Sequence, residues 1–130
     1  MFHVANMRTA RQRTGPLLLA LMTNQIYLVE KIERLALETF HMTEAHLFCV
    51  RGYSPCLGLR PVVTVLFRRH HELKLPEKWV TEYLWLQAPV RDIEAHGARI
   101  LAGPASSEVS ARAHHICREL RVDPYELAAA

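Results

Sequence analysis

Residues 76–101 read PEKWVTEYLWLQAPVRDIEAHGARIL, and how this stretch folds decides the class of the whole chain. Pro76 suits the first turn of a helix, and Trp79, Val80, Tyr83, Leu84 and Leu86 recur at spacings of three or four. Pro89 stops that helix, because it lacks an N–H and its ring crowds the preceding turn, and it can start the next. Val90, Ile93, Ala98 (or Gly97), Ile100 and Leu101 then supply a second apolar set. Two helices joined through Gln87 to Pro89 have the dimensions of a helix-turn-helix. The second would be the recognition helix, with Val90, Arg91, Asp92 and Glu94 in its first turn and Arg99 near its far end. The same hairpin also serves ordinary core packing, and Asp92 and Glu94 beside Arg91 weaken an anion-binding role.

Working outward, the flanking segments read as helices punctuated by Pro and Gly. Upstream, Thr14 is a cap with Pro16 in the first turn, and Ile26, Val29, Ile32, Leu35, Ala36 and Phe40 repeat at helical spacing up to His41. This is one long helix, or two broken near Asn24. Thr43 caps a short apolar helix carrying Leu47, Phe48 and Val50, which ends at Gly52, and RGYSPCLGL (residues 51–59) is a structured loop. Pro61 opens a helix over RPVVTVLFRRHHEL, although Val62 to Val65 also fit a strand. Downstream, Ser106 or Ser107 caps a helix whose stripe is Val109, Ala113, Ile116, Cys117 and Leu120. Asp123 and Pro124 open a last short helix. No segment alternates with period two, so the expected fold is all-α: a compact helical bundle containing a helix-turn-helix.

The 130 residues, half of them apolar, fit one domain with a genuine core, here residues 15–130 behind a basic N-terminal arm, residues 1–14. Composition excludes a disordered, collagen-like or disulfide-dense chain. Net charge is +3, and thirteen of the sixteen basic residues are Arg, the side chain suited to bidentate phosphate and base-edge contacts. Cys49, Cys56 and Cys117 form an odd set without a CxxC, which suggests a reducing cytoplasm, and the apolar run Leu17 to Met22 is too short to cross a membrane.

Here the residues carry a resemblance. Phe40, then Met42, Thr43 and Leu47, then Arg51 in a loop, Arg60 and Pro61 at a helix start, Leu75, Pro76 and Glu77, and finally Ile93, Ala98, Arg99 and Ile100 follow a known order and approximate spacing. This run resembles the C-terminal DNA-binding domain of the bacterial replication initiator DnaA over about half the chain. The resemblance implies a helical bundle with an embedded helix-turn-helix that binds double-stranded DNA in replication or transcription control. It implies Arg91 and Arg99 in the groove, Arg51 toward the adjacent minor groove, and Arg60, Arg68 and Arg69 on phosphates. The departures are specific: Pro89, Val90, Arg91 and Asp92 replace the family's polar base-reading run, one Arg stands in its loop, and no phosphate-binding GxxxxGK[ST] occurs.

Other constellations point to less. His41, His46, Cys49 and Cys56 comprise four N and S ligand types, but not at the spacing of a recognised zinc finger, and packing is the expected role, so no metal or cofactor is expected. His114 and His115 are adjacent, about 100° apart on a helix, and read as surface imidazoles. No nucleophile elbow or acid–base pair emerges, so an enzyme is not expected. The alternative to DNA binding is a protein-interaction or homodimerisation module that uses the aromatic helix at Trp79 to Trp85 or the helix at Val109 to Leu120.

Overall fold

A computed structural model describes residues 14–48 and 58–130, all helical or loop with no strand among them. The basic arm before Thr14 and the RGYSPCLGL loop, with Arg51, Cys49 and Cys56, lie outside the described residues apart from its last two positions. Among the described residues eight helices follow one another: α1 over residues 14–19, α2 Thr23–Phe40, α3 Glu44–Leu47, α4 Leu59–Arg69, α5 Glu77–Leu84, α6 Val90–Ala102, α7 Glu108–Glu119 and α8 Pro124–Ala129.

The segment before His41 is therefore two helices. Met22 adopts an extended conformation, and its N–H donates to Gln25 Oε1 at 3.0 Å, so the chain starts afresh at Thr23. The expected starts hold: Pro76 and Pro89 precede α5 and α6, Ser107 caps α7, and Asp123 accepts from Tyr125 and Glu126 N–H ahead of Pro124. By contrast, α5 ends at Leu84 with Trp85 as its cap, ahead of the stop expected at Pro89 and with Leu86 outside the helix. Thr43 caps α3 with its N–H donating to His46 Nδ1 at 3.1 Å.

α4 is the centre of the molecule. Val62 to Phe67 are all buried, and the helix packs against α2, α5, α6 and α8. Val62, Val63, Thr64 and Val65 are four β-branched residues in a row, which is why this stretch reads locally like a strand. Its closest neighbour is α6. A Cβ at Gly97 would lie 2.2 Å from the Pro61 carbonyl oxygen, so the two backbones meet where no side chain intervenes.

Aromatic side chains fill the space between α4 and α5. Trp79 stacks on Tyr83 at 4.6 Å, Phe67 meets both edge-on, and Phe48 closes against Tyr83 at 5.6 Å. The Tyr83 hydroxyl donates to Glu33, and Trp79 Nε1 donates to the Leu17 carbonyl at 3.0 Å. The aromatic helix is thus core. It offers no docking face of the kind weighed for a protein-interaction module, and the α7 stripe, turned onto α2 with Ala113, Ile116 and Cys117 buried, offers none either.

Burial, and then the charge of Asp123, pushes the Cys117 thiol up to about 12. In a Cys49→Ser, Cys56→Ser background, Cys117 should resist alkylation in native protein near pH 8 and react at once in denaturant. Rapid native alkylation would contradict this packing.

Candidate functional site

α6 divides into two faces. Val90, Gly97 and Leu101 are buried, with Ile93, Ala98 and Ile100 partly so, and this side rests on the bundle. The other side carries Arg91, Asp92, His96, Arg99 and Ala102, all exposed, with half-buried Ala95 between them. Positions 92, 95, 96, 99 and 102 share one helical face. The α5–α6 turn comes from Trp85, whose left-handed backbone (φ 54°) ends α5 and lets the Leu86 N–H return to the Thr81 carbonyl at 3.0 Å.

The six arginines expected to meet DNA fall into separate groups. Arg51 lies outside the described residues. Arg91 and Arg99 stand on the exposed side of α6. Arg60, Arg68 and Arg69 turn inward. Arg60 Nη2 donates to the Leu84 carbonyl at the end of α5. Arg69 Nη1 donates to the Leu127 and Ala128 carbonyls near the end of α8, at 3.0 and 2.9 Å. Arg68 Nη1 reaches the Leu75 carbonyl at 2.8 Å. Carbonyls at a helix C-terminus attract cations, so Arg60 and Arg69 hold the ends of α5 and α8 to α4, while Arg68 ties down the loop that precedes α5.

Sequence reasoning missed the carboxylates that organise these arginines. Glu94 accepts from Arg69 Nε at 2.7 Å and from Arg68 Nε at 3.0 Å, with its side chain only 13% exposed. Arg68 Nη2 approaches Glu77 at 3.7 Å, and Glu77 accepts from Arg91 Nε at 3.0 Å. The result is an alternating chain, Arg69–Glu94–Arg68–Glu77–Arg91, from α4 to the outer surface of α6. Burial opposes the charge on Glu94, but the hydrogen bonds and charges of Arg69 and Arg68 outweigh it and hold its carboxyl below the usual carboxylate range. A signal was present: Glu94 follows Val90 by four residues, inside the apolar stripe, where a carboxylate needs a partner.

Histidines mostly complete local structure. His46 caps α3, and His70, buried at the end of α4, accepts the Glu72 N–H on Nδ1 at 3.1 Å. Burial first, and then the neighbouring His71, lower the His70 pKa. His114 corrects an expectation: only His115 is a surface imidazole, while His114 is buried with Nε2 2.8 Å from the Leu101 carbonyl and its ring edge-on to Tyr125. Of the four residues considered as zinc ligands, only His41 and His46 are described, and no cluster of three or more His, Cys, Asp or Glu suited to a metal occurs among the described residues. No described helix is long and apolar enough to cross a membrane.

No family model, curated protein or solved structure matches the chain. The site must therefore be read from its own geometry. That geometry offers a helix seated on the bundle, presenting two arginines, an aspartate, a histidine and two small residues.

Proposed function

We propose that this protein binds duplex DNA without chemistry, as a helix-turn-helix protein resembling the C-terminal domain of the replication initiator, in replication or transcription control. The observation that carries this is α6 itself: its inner face is seated on α4, and its outer face leaves Arg91, His96 and Arg99 in solvent. A helix about 10–12 Å across fits the major groove, and Ala95 and Ala102 let its backbone come close to base edges. Arg99, with no ion pair to a described residue, supplies phosphate or base contact, and Arg91 supplies base contact. Arg60, Arg68 and Arg69 act instead through the fold that holds α6.

Fluorescence anisotropy with a labelled duplex at about 50 and 200 mM salt tests the reading, because phosphate contacts make affinity fall steeply between them. Arg99→Ala should weaken binding about three- to ten-fold and reduce the salt slope by about one. Absence of salt-sensitive binding by the unmodified protein would remove the proposal.

One observation favours the protein-interaction alternative on a different surface from the two named above. Leu19, Met22 and Tyr27 are 82%, 68% and 71% exposed, and Met22 and Tyr27 line a groove of about 860 Å³ with Leu28 and Leu120 and with the polar Thr23, Asn24, Lys31, His70 and Glu72. Clustered exposed apolar side chains mark interaction surfaces. Sedimentation equilibrium discriminates: concentration-dependent dimerisation abolished by Tyr27→Glu, with no DNA affinity, would favour this alternative over α6.

A further inference from the structure

We propose that Glu77 is a positioning residue that presents the Arg91 guanidinium end-on, so that Arg91 selects guanine in the major groove. The inference rests on DNA binding through α6 and adds to it the base that is read and the side chain that aims the reader.

Arg91 is 81% exposed, and an arginine so placed ordinarily samples many rotamers. Here its Nε donates to Glu77 Oε2 at 3.0 Å, a contact between the first turns of α5 and α6. With Nε occupied, Nη1 and Nη2 form the free end of the fork, and neither donates to a described residue. Two parallel N–H groups match the O6 and N7 acceptors that guanine alone presents together in the major groove. Adenine offers N7 beside an amino donor, which repels the second N–H.

Glu77 can aim Arg91 because it is itself held. Arg68 Nη2 lies 3.7 Å from the same Oε2, and Arg68 is fixed by Glu94 at 3.0 Å and by the Leu75 carbonyl at 2.8 Å. Glu94 is fixed in turn by Arg69 at 2.7 Å, which is anchored on α8. A surface ion pair standing alone gives little order, whereas one at the end of a half-buried network inherits the rigidity of its members. Preorganised side chains lose less freedom when they bind, and the saving is greatest for the one base whose geometry matches.

The test is selection from a randomised duplex library, followed by anisotropy on selected and mixed sequences, with the intact protein, Glu77→Gln, Arg91→Lys and Arg91→Ala. The intact protein should prefer guanine over other bases at one position by about ten-fold. Glu77→Gln should reduce that preference to about two-fold while its affinity for mixed sequence stays within about three-fold, since one exposed pair carries little net affinity. Arg91→Lys keeps the charge but loses the fork, and should lose the preference equally. A merely structural role for Glu77 would lower affinity for all sequences together and shift thermal unfolding, so melting curves of each variant accompany the binding data. Guanine preference that survives Glu77→Gln, or DNA binding with no Arg91-dependent guanine preference, would overturn the positioning role and leave DNA binding by α6 intact. If the intact protein binds no duplex at all, both fall.

Discussion

Gly97→Ala should destabilise the protein by about 1–3 kcal/mol, against the direction that helix propensity alone predicts. Gly97 lies inside α6, where replacing Gly by Ala ordinarily gains about 1 kcal/mol. Here the added methyl would stand 2.2 Å from the Pro61 carbonyl oxygen, 2.8 Å from its carbon and 2.9 Å from Val65 Cγ1. Two of those three atoms are backbone and cannot rotate away. Relief requires α6 to move off α4 across the most extensive helix contact of the fold, loosening Val90 and Leu101 as well. Overpacking at such a seam outweighs the propensity gain, and the melting temperature should fall by roughly 5–10 °C. Gly97→Val should be worse still. A melting temperature unchanged or raised by Gly97→Ala would show that the α4–α6 approach is not as close as described.

The second large effect belongs to Glu94. Glu94→Gln removes the charge between Arg68 and Arg69 while nearly keeping shape, leaving two half-buried guanidinium groups side by side. Breaking a buried pair by removing one partner costs about 3–5 kcal/mol, and the partial exposure of these arginines, 23% and 19%, places the expected loss nearer 2–3 kcal/mol. The pH dependence has a definite sign. Glu94 has its carboxyl below the ordinary value of 4.5, so its contribution is complete above that pH and disappears as pH falls through the lower folded value. Urea unfolding should show a wide gap between the intact protein and Glu94→Gln at neutral pH that narrows on acidification below 4.5. An equal gap at both pH values would mean that the charge of Glu94 contributes nothing.

Punctuation was the most readable part of the sequence. Pro76, Pro89, Ser107 and Asp123–Pro124 act through local rules that need no knowledge of distant contacts, and each marks an observed helix start. The ambiguity at Val62–Val65 has a physical origin: Val62, Val63, Thr64 and Val65 are all β-branched, the side chains that favour strands, and all four are buried, so local propensity leaves the choice to tertiary packing. The candidate site was half legible. Exposed Arg91 and Arg99 follow from the phase of α6, whereas the inward turn of Arg60 and Arg69 depends on where the ends of α5 and α8 arrive on α4, and that of Arg68 on the loop before α5 and on Glu94. No local pattern encodes that arrival, and an Arg pair near a helix end reads alike whether it faces phosphate or another helix.

The central claim, that the outward face of α6 meets duplex DNA, is tested most directly by amide chemical-shift mapping of isotope-labelled protein titrated with a mixed-sequence duplex. At about 50 mM salt, shifts and broadening should concentrate on Arg91, Asp92, Ala95, His96 and Arg99 and reverse when salt rises to about 200 mM. Absence of shifts on α6 at the lower salt, or shifts centred on Leu19 to Lys31 instead, would contradict it.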